Sequence, residues 1–336
     1  MLTRSGAAAF LFAGLSSLSC GPRLLPITHD VGAISCDALH LQVLSDDYGE
    51  DPTGPQEAYF SRIDVEGRTT STVPIGTGAV MDSVAFLGPT IVAVLYEFSV
   101  LGDRPDKHHI VRTRDGGRTW RPLESPPPKV TGVAFANPEI GWSWSDHALY
   151  ATSNSGDDWK QLPIPDGSIS RSGPLPIVVS GNLWVPLNHG LGPDSRINAL
   201  VRVCGDDVSV VRSSDPFTLA ALTSHQGDLW AVTDTPNGQG VSSLYRIDVD
   251  HGGEAIEISS LPPGRPAYLA VHDDGIVVAL TAPFAEGGRL SLTRSTDGGH
   301  TWSWKRPLLL LEDGFCSTSA EQVWFISNIG TVQLLD

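Results

Sequence analysis

Three polar side chains suited to chemistry recur at the same place in an eight-residue pattern. They are Asp115, Asp297 and, in a weaker copy, Asn154. An aspartate can serve as a general acid or base, or as a metal ligand. Here glycine follows within two residues, so the side-chain oxygen is expected to accept hydrogen bonds from backbone N–H groups a few residues on. We interpret these residues as locks of hairpin turns, because a carboxylate occupied by backbone donors is not free for catalysis. The three copies are Thr113–Trp120, Thr152–Trp159 and Ser295–Trp302.

Each copy also carries a glycine followed three residues later by a tryptophan. Glycine allows positive φ at little steric cost, which a tight hairpin needs. The tryptophan lies where the next strand begins, and its ring can fold back over the turn and bury apolar area. The pairs are Gly117 with Trp120, Gly156 with Trp159, and Gly299 with Trp302.

The pattern Ser/Thr-x-Asp-x-Gly-x-Thr-Trp resembles the Asp box, or bacterial neuraminidase repeat. That repeat occurs in sialidases, in some other glycosidases, in sortilin-type receptors and in photosystem II assembly-factor propellers. The resemblance implies a β-propeller in which each box closes the turn between the third and fourth strands of a blade. It describes an architecture that hosts many functions.

The spacing of the boxes predicts the number of blades. Asp115 and Asp297 are 182 residues apart, which corresponds to four blades of about 45 residues. Decayed copies of the turn are expected between them and before them, at Ile63–Thr69, Cys204–Asp207 and Asp248–Gly253. Short apolar runs bounded by Gly, Pro, Asn and Asp indicate an all-β chain of four-stranded antiparallel blades.

The two ends of the chain are expected to share the last blade. Three strands are predicted at Gly314–Ser317, Gln322–Ser327 and Thr331–Leu335, and a segment around Leu24–Thr28 supplies the fourth. Such closure removes an exposed strand edge. This arrangement favours a single seven-bladed propeller over residues 21–336, and six blades remain possible if the terminal segments form one blade between them.

Composition limits the partners. The chain has 336 residues and a formal net charge of −16. An acidic surface is repelled by nucleic acid and by anionic membranes, so we expect neither as a direct partner. We predict a monomer that uses no cofactor and contacts a membrane only through a lipid anchor.

The first 20 residues are typical of an export signal. A basic start at Arg4 precedes the apolar run Ala7–Leu15, and Ser-Leu-Ser-Cys ends at Cys20. This ending resembles a bacterial lipoprotein signal, in which Cys20 is lipidated, although the usual leucine is shifted by one position. We predict a protein of the bacterial cell envelope that is anchored to the membrane. The alternatives are an ordinary signal peptide with a periplasmic or secreted product, and a buried N-terminal helix.

The remaining cysteines suggest one covalent link. Cys36 and Cys316 fall on the innermost strands of the first and seventh blades, which are neighbours in a closed ring. An oxidising compartment permits a Cys36–Cys316 disulfide. The alternative is that each is a small buried apolar residue. Cys204, at the turn of the fourth blade, is expected to be free.

Other candidate chemistry is weak. Sialidases carry an Arg-Ile-Pro signature and three arginines that hold a carboxylate, and this chain has no Arg-Ile-Pro. Four carboxylates lie close together next to Gly49, where a hard cation such as calcium can bind, but their spacing is not that of a helix–loop–helix calcium site and favours an exposed acidic loop. Those four residues are Asp46, Asp47, Glu50 and Asp51.

The sequence therefore predicts a non-catalytic binding or assembly module. Trp184, Trp230 and Trp324 recur on second strands, which indicates packing between blades. Long Gly- and Pro-rich segments are expected to rim one mouth of the channel, where a protein or carbohydrate partner binds. Those segments are Leu101–His109, Pro186–Ser195 and Thr235–Gly240. The alternative is a sialidase-like glycosidase acting on extracellular carbohydrate.

Overall fold

The protein is all-β and its strands form four-stranded antiparallel sheets. The computed structural model describes residues 23–26, 30–36, 40–47, 57–64, 69–77, 79–87, 90–97, 107–165, 168–169, 176–189, 196–212, 218–234, 242–249, 255–281, 290–307, 312–317, 319–320, 323–327 and 331–335. Glycine-, proline- and aspartate-rich segments separate these strands, as expected for hairpins connected in chain order.

Twenty-nine strands are described, and they group into seven sheets. In chain order they are β1 (Arg23–Pro26); β2 (Asp30–Cys36), β3 (His40–Asp47), β4 (Glu57–Asp64) and β5 (Thr69–Thr77) in blade 1; β6 (Ala79–Leu87), β7 (Thr90–Glu97), β8 (Lys107–Thr113) and β9 (Arg121–Pro122) in blade 2; β10 (Gly132–Phe135), β11 (Gly141–Ser145), β12 (Ala148–Thr152) and β13 (Lys160–Leu162) in blade 3; β14 (Ser168–Ile169), β15 (Ile177–Val179), β16 (Asn182–His189), β17 (Arg196–Cys204) and β18 (Asp207–Arg212) in blade 4; β19 (Thr218–His225), β20 (Asp228–Asp234), β21 (Ser243–Ile247) and β22 (Ala255–Ser260) in blade 5; β23 (Arg265–His272), β24 (Gly275–Thr281), β25 (Leu290–Ser295) and β26 (Ser303–Pro307) in blade 6; and β27 (Glu312–Ser317), β28 (Val323–Ser327) and β29 (Thr331–Leu335) in blade 7. In blade 4 both β14 and β15 pair with β16, so two short strands share the innermost position.

The innermost strands form a closed ring. Each one contacts the innermost strand of the next blade, and β27 contacts β2. Blade 7 receives its outer strand from the start of the chain, because β1 pairs with β29 with Arg23 opposite Leu334. The predicted sharing of one blade by both ends is therefore confirmed, and the seven sheets are consistent with seven blades.

The core consists of clusters that each lie between two adjacent blades. Trp142 and Trp144 of blade 3 pack with Leu183 and Val185 of blade 4. Trp184 of blade 4 packs in turn with residues of blade 5. Alternate residues of a strand point to opposite faces, so each sheet presents one apolar face to each neighbour. Trp230 packs against the cluster between blades 5 and 6, so the predicted inter-blade role is confirmed for Trp184 and Trp230. The side chain of Trp324 lies outside the described set.

The two ends of the propeller differ in their connections. In an antiparallel blade the first-to-second and third-to-fourth turns lie at one end, which we call the box end. The second-to-third connections and those between blades lie at the other, which we call the loop end. The three long segments predicted to rim a mouth all join second to third strands, at β7–β8, β16–β17 and β20–β21, so their flanking strands place them at the loop end.

Candidate functional site

The structure places the predicted lock residues in third-to-fourth turns. Asp115 lies between β8 and β9, and its Oδ1 accepts hydrogen bonds from the backbone N–H groups of Arg118 (3.0 Å) and Thr119 (2.9 Å). The Thr119 hydroxyl donates to its Oδ2 at 2.7 Å. The Thr113 hydroxyl donates to Oδ1 at 2.7 Å and accepts from the N–H of Gly117 at 3.0 Å. Both carboxylate oxygens are therefore engaged within the turn itself.

The Asp297 turn repeats this network in blade 6. Thr301 donates its N–H to Oδ1 at 2.9 Å and its hydroxyl to Oδ2 at 2.6 Å, and the Ser295 hydroxyl donates to Oδ1 at 2.8 Å. Hydrogen bonds from the Thr301 and Thr119 side chains are the main cause that holds the pKa of Asp297 and of Asp115 well below the ordinary value. These carboxylates stay ionised, so neither can donate a proton as a general acid near neutral pH.

In the weaker copy, in blade 3, one side-chain hydrogen bond runs in the opposite direction from its equivalent in blade 2. Asn154 Oδ1 accepts from the N–H of Asp158 at 2.9 Å, which corresponds to the Thr119 contact of blade 2. Its Nδ2 then donates to Asp158 Oδ2 at 2.9 Å. Asn154 thus stands where blade 2 has Asp115, and Asp158 stands where blade 2 has Thr119. The Asn154 side chain makes three hydrogen bonds, as many as Asp297 in blade 6, with the polarity of one of them inverted.

The glycines and tryptophans of the boxes hold the turns against neighbouring strands. Gly117 has φ of +86°, and a Cβ built there would lie 2.2 Å from a ring carbon of Phe60 in blade 1. The Trp120 ring donates from Nε1 to the Gly117 carbonyl at 3.1 Å and meets the Phe60 ring edge-to-face, with centroids 5.8 Å apart. The box therefore joins one blade to the previous one as well as closing its own hairpin.

A contact that the sequence analysis missed joins successive boxes. Arg112, immediately before the first box, donates from Nη1 to the carbonyl of Ser155 in the next box, and its Nη2 lies 3.2 Å from Asp157. An arginine holds the same position in five of the six boxed or decayed turns, and this regularity is the signal that sequence reasoning could have used. The five are Arg62, Arg112, Arg202, Arg246 and Arg294.

The first-to-second turns form a second line of contacts at the box end. The Ser180 hydroxyl donates to the Gly227 carbonyl at 3.4 Å, and Gln226 Nε2 donates to Asp273 at 2.6 Å. Asp274 then accepts the N–H of Ala320 at 2.9 Å. These contacts connect the first-to-second turns of blades 4, 5, 6 and 7 in order.

Two histidines lie in this line of turns. His225 Nε2 is 3.2 Å from Asp273 Oδ1. Burial lowers the pKa of His272 below its ordinary value; the charge of His225 acts in the same direction, and Asp274 and Asp273 oppose it. No group of three or more His, Cys, Asp or Glu residues among the described residues is arranged to hold a metal ion.

The described side chains of the innermost strands include few charged groups. Among their described side chains there is no carboxylate and a single arginine, Arg265. A retaining or inverting glycosidase uses two carboxyl groups beside the scissile bond. The described side chains of the innermost strands therefore do not include such a pair, while the side chains of β2 and β27 and of residues 79–82 in β6 lie outside the described set.

Several predicted site residues lie outside what the structure describes. Cys20, Glu50 and Asp51 fall outside the described residues altogether. The strands that carry Cys36, Asp46, Asp47 and Cys316 are placed, but their side chains are outside the described set. Cys204 is exposed and free. Within the described ranges, no helix has the length and hydropathy needed to cross a bilayer.

Solved propellers resemble this chain closely in fold and weakly in sequence. The structure of YCF48 bound to a D1 peptide matches with a TM-score of 0.61 and 16% identity, covering 94% of this chain and 96% of that one. YCF48 from Cyanidioschyzon merolae matches with a TM-score of 0.60 and 15% identity, covering 93% and 96%. A streptogramin B lyase matches with a TM-score of 0.59 and 16% identity, covering 93% and 97%. No protein-family model and no curated protein matches the sequence. These likenesses show the β-propeller fold.

Proposed function

We propose that the chain is an exported, lipid-anchored propeller of the Asp-box type that acts as a non-catalytic binding or assembly module. The observation that carries this proposal is the state of its carboxylates. Asp115 and Asp297 accept hydrogen bonds at both carboxylate oxygens within their turns, and the described side chains of the innermost strands include no carboxylate. A hydrolase of the sialidase kind needs free acidic groups that converge on one point.

The partner is a protein segment or a carbohydrate that binds at the loop end. Binding residues tend to occur on loops held by a rigid scaffold, and the long Gly- and Pro-rich segments all leave from that end. One propeller of similar fold, YCF48, is seen with a bound peptide, which makes a polypeptide the first partner to test. Another, a streptogramin B lyase, is an enzyme, so activity must be measured as well.

The binding proposal is tested by site-specific photocrosslinking in cells. A photoreactive residue replaces His147, which is exposed in the second-to-third turn of blade 3, or Asp206, which is exposed at the box end. We expect a discrete crosslinked envelope protein from position 147 and none from position 206. Crosslinks from 206 alone, or identical smears from both, would contradict binding at the loop end.

The enzyme alternative is tested separately. Purified protein is incubated with a panel of fluorogenic glycosides, including a sialoside, beside an Asp115→Asn variant. We expect no turnover by either protein. Turnover by both would show that the module is a hydrolase that does not need the Asp115 carboxylate. Turnover lost in Asp115→Asn, assayed well below the Tm of the variant so that it is folded, would show that the box carboxylate is an active-site group.

A further inference from the structure

The first strand of the chain begins close to the predicted lipidation site. Cys20 lies outside the described residues, and only Gly21 and Pro22 separate it from Arg23, the first residue of β1. Three residue steps span at most about 11 Å when the chain is fully extended. Whatever is attached to Cys20 is therefore held next to the Arg23 end of β1, with no linker long enough to reach around the propeller.

The sheet register identifies the end of the propeller at which Arg23 lies. Arg23 is opposite Leu334 near the end of β29, and the last residue of β29 is level with Val323 at the start of β28. Val323 follows the first-to-second turn of blade 7. In that turn the N–H of Ala320 donates to Asp274 in the equivalent turn of blade 6. Arg23 is therefore at the box end.

We infer that the box end faces the membrane and the loop end faces away from it. The inference rests on the proposed lipid anchor, and adds to it the surface that meets the lipid. A short covalent attachment at one edge of the box end brings that end against the headgroups. The acyl chains supply the binding, because each buried methylene favours the membrane. The loop end, where the partner is proposed to bind, is left open to the compartment.

Charge does not produce this orientation. Exposed acidic residues are spread over the box end, and anionic lipids repel such a surface. They include Asp157, Asp206, Asp207 and Asp273. Exposed arginines, among them Arg114 and Arg118, lie at the same end. We therefore assign the orientation to the covalent attachment and test it on zwitterionic lipid, where charge contributes least. An edge-on arrangement, with both ends equally distant from the surface, is the competing geometry.

Labelling of exposed cysteines distinguishes these geometries, with Cys36 and Cys316 retained in every protein. The native Cys204 reports the box end at blade 4, on the side of the ring away from the anchor. In a Cys204→Ser background, His300→Cys reports the box end at blade 6, and Ser260→Cys reports the loop end at blade 5; both positions are exposed. The lipidated full-length proteins carry an environment-insensitive maleimide dye. They are reconstituted into phosphatidylcholine vesicles that contain a nitroxide-labelled headgroup, with Cys204→Ser alone as the labelling blank.

The quenching pattern decides between the outcomes. We expect strong loss of emission at 300, a clear loss at 204 and little at 260. Equal loss at 300 and 260 means edge-on attachment and overturns the orientation alone. A greater loss of emission at position 260 than at position 300 would mean that the loop end faces the membrane, which is the reverse of the proposed orientation. Flotation of the full chain but not of Cys20→Ala with the vesicles is required first, and its failure would overturn the anchor together with the orientation that depends on it.

Discussion

A methyl group added to Gly117 should destabilise the propeller more than the same group added at Gly298. Both glycines belong to turns between the third and fourth strands of a blade and have positive φ, +86° and +73°. An L-residue in that conformation costs about 1–2 kcal/mol, so both substitutions by alanine share this term. The surroundings differ, because a Cβ on Gly117 would lie 2.2 Å from Phe60, whereas nothing lies within 4 Å of one on Gly298.

The magnitude of the difference follows from packing. Phe60 is fully buried between blades 1 and 2 and cannot swing into solvent. Forcing a methyl group into such a core costs about 1–3 kcal/mol. Gly117→Ala is therefore expected to cost about 2–5 kcal/mol and Gly298→Ala about 1–2 kcal/mol. With an unfolding entropy of about 2.1 cal/mol/K per residue over roughly 310 residues, each kcal/mol lowers Tm by about 1.5 °C.

Scanning calorimetry on the purified full chain checks this, with urea titration at 25 °C as a second measure. The double substitution Gly117→Ala with Phe60→Leu completes a mutant cycle. A coupling energy of about 1 kcal/mol or more is expected if the methyl and the ring collide. Equal Tm shifts for Gly117→Ala and Gly298→Ala, or additive effects in the cycle, would refute the inter-blade contact made by the box glycine.

Three further predictions concern the boxes and the blade seams. Asn154→Asp places a second carboxylate against Asp158 and should lower the free energy of unfolding by up to about 1 kcal/mol. Adding Asp158→Thr should restore the hydrogen bonds of the other boxes, and urea unfolding of the wild type, the single variant and the double variant tests both expectations. Because hydrogen bonding depresses the pKa of Asp115, its contribution is present above the unfolded value of about 3.9 and is lost as pH falls below it. The Tm difference between the wild type and Asp115→Asn should therefore shrink on acidification below pH 4, and a gap that widens would contradict the sign. Trp184→Ala opens a cavity between blades 4 and 5 and should lower the free energy of unfolding by about 3–5 kcal/mol. Val210→Ala, at an exposed position of blade 4, should lower it by at most about 0.5 kcal/mol, and calorimetry of the two variants measures the difference.

The sequence was informative where the interactions are local. Asp115 and Thr119 are four residues apart, so their turn could be predicted from chain chemistry alone. The repeat length then predicted the sheet boundaries, including the closure of blade 7 by residues near Leu24.

Contacts between blades were not predictable in the same way. Arg112 and Ser155 are 43 residues apart, and Gln226 and Asp273 are 47 apart. Their proximity exists only once one sheet is stacked on the next, and hairpin propensity carries no information about that stacking. A repeat-aligned comparison would have exposed the recurrent arginine before each box, because contacts between equivalent blades recur at the repeat length.

The box end and the loop end have different capacities to bind a ligand. At the box end, the turn side chains already satisfy one another: Asp115 is held by Thr119, Asp157 by Arg112, and Asp273 by Gln226. A ligand there would have to displace existing hydrogen bonds and recover their free energy, each worth about 0.5–1.5 kcal/mol net. Contacts of this kind instead hold adjacent blades in a fixed relation. This difference fits the proposed orientation, in which the box end rests against lipid and the loop end meets the partner. A specific partner is better served by the loop end, where the long segments leave a framework that the box end keeps in place.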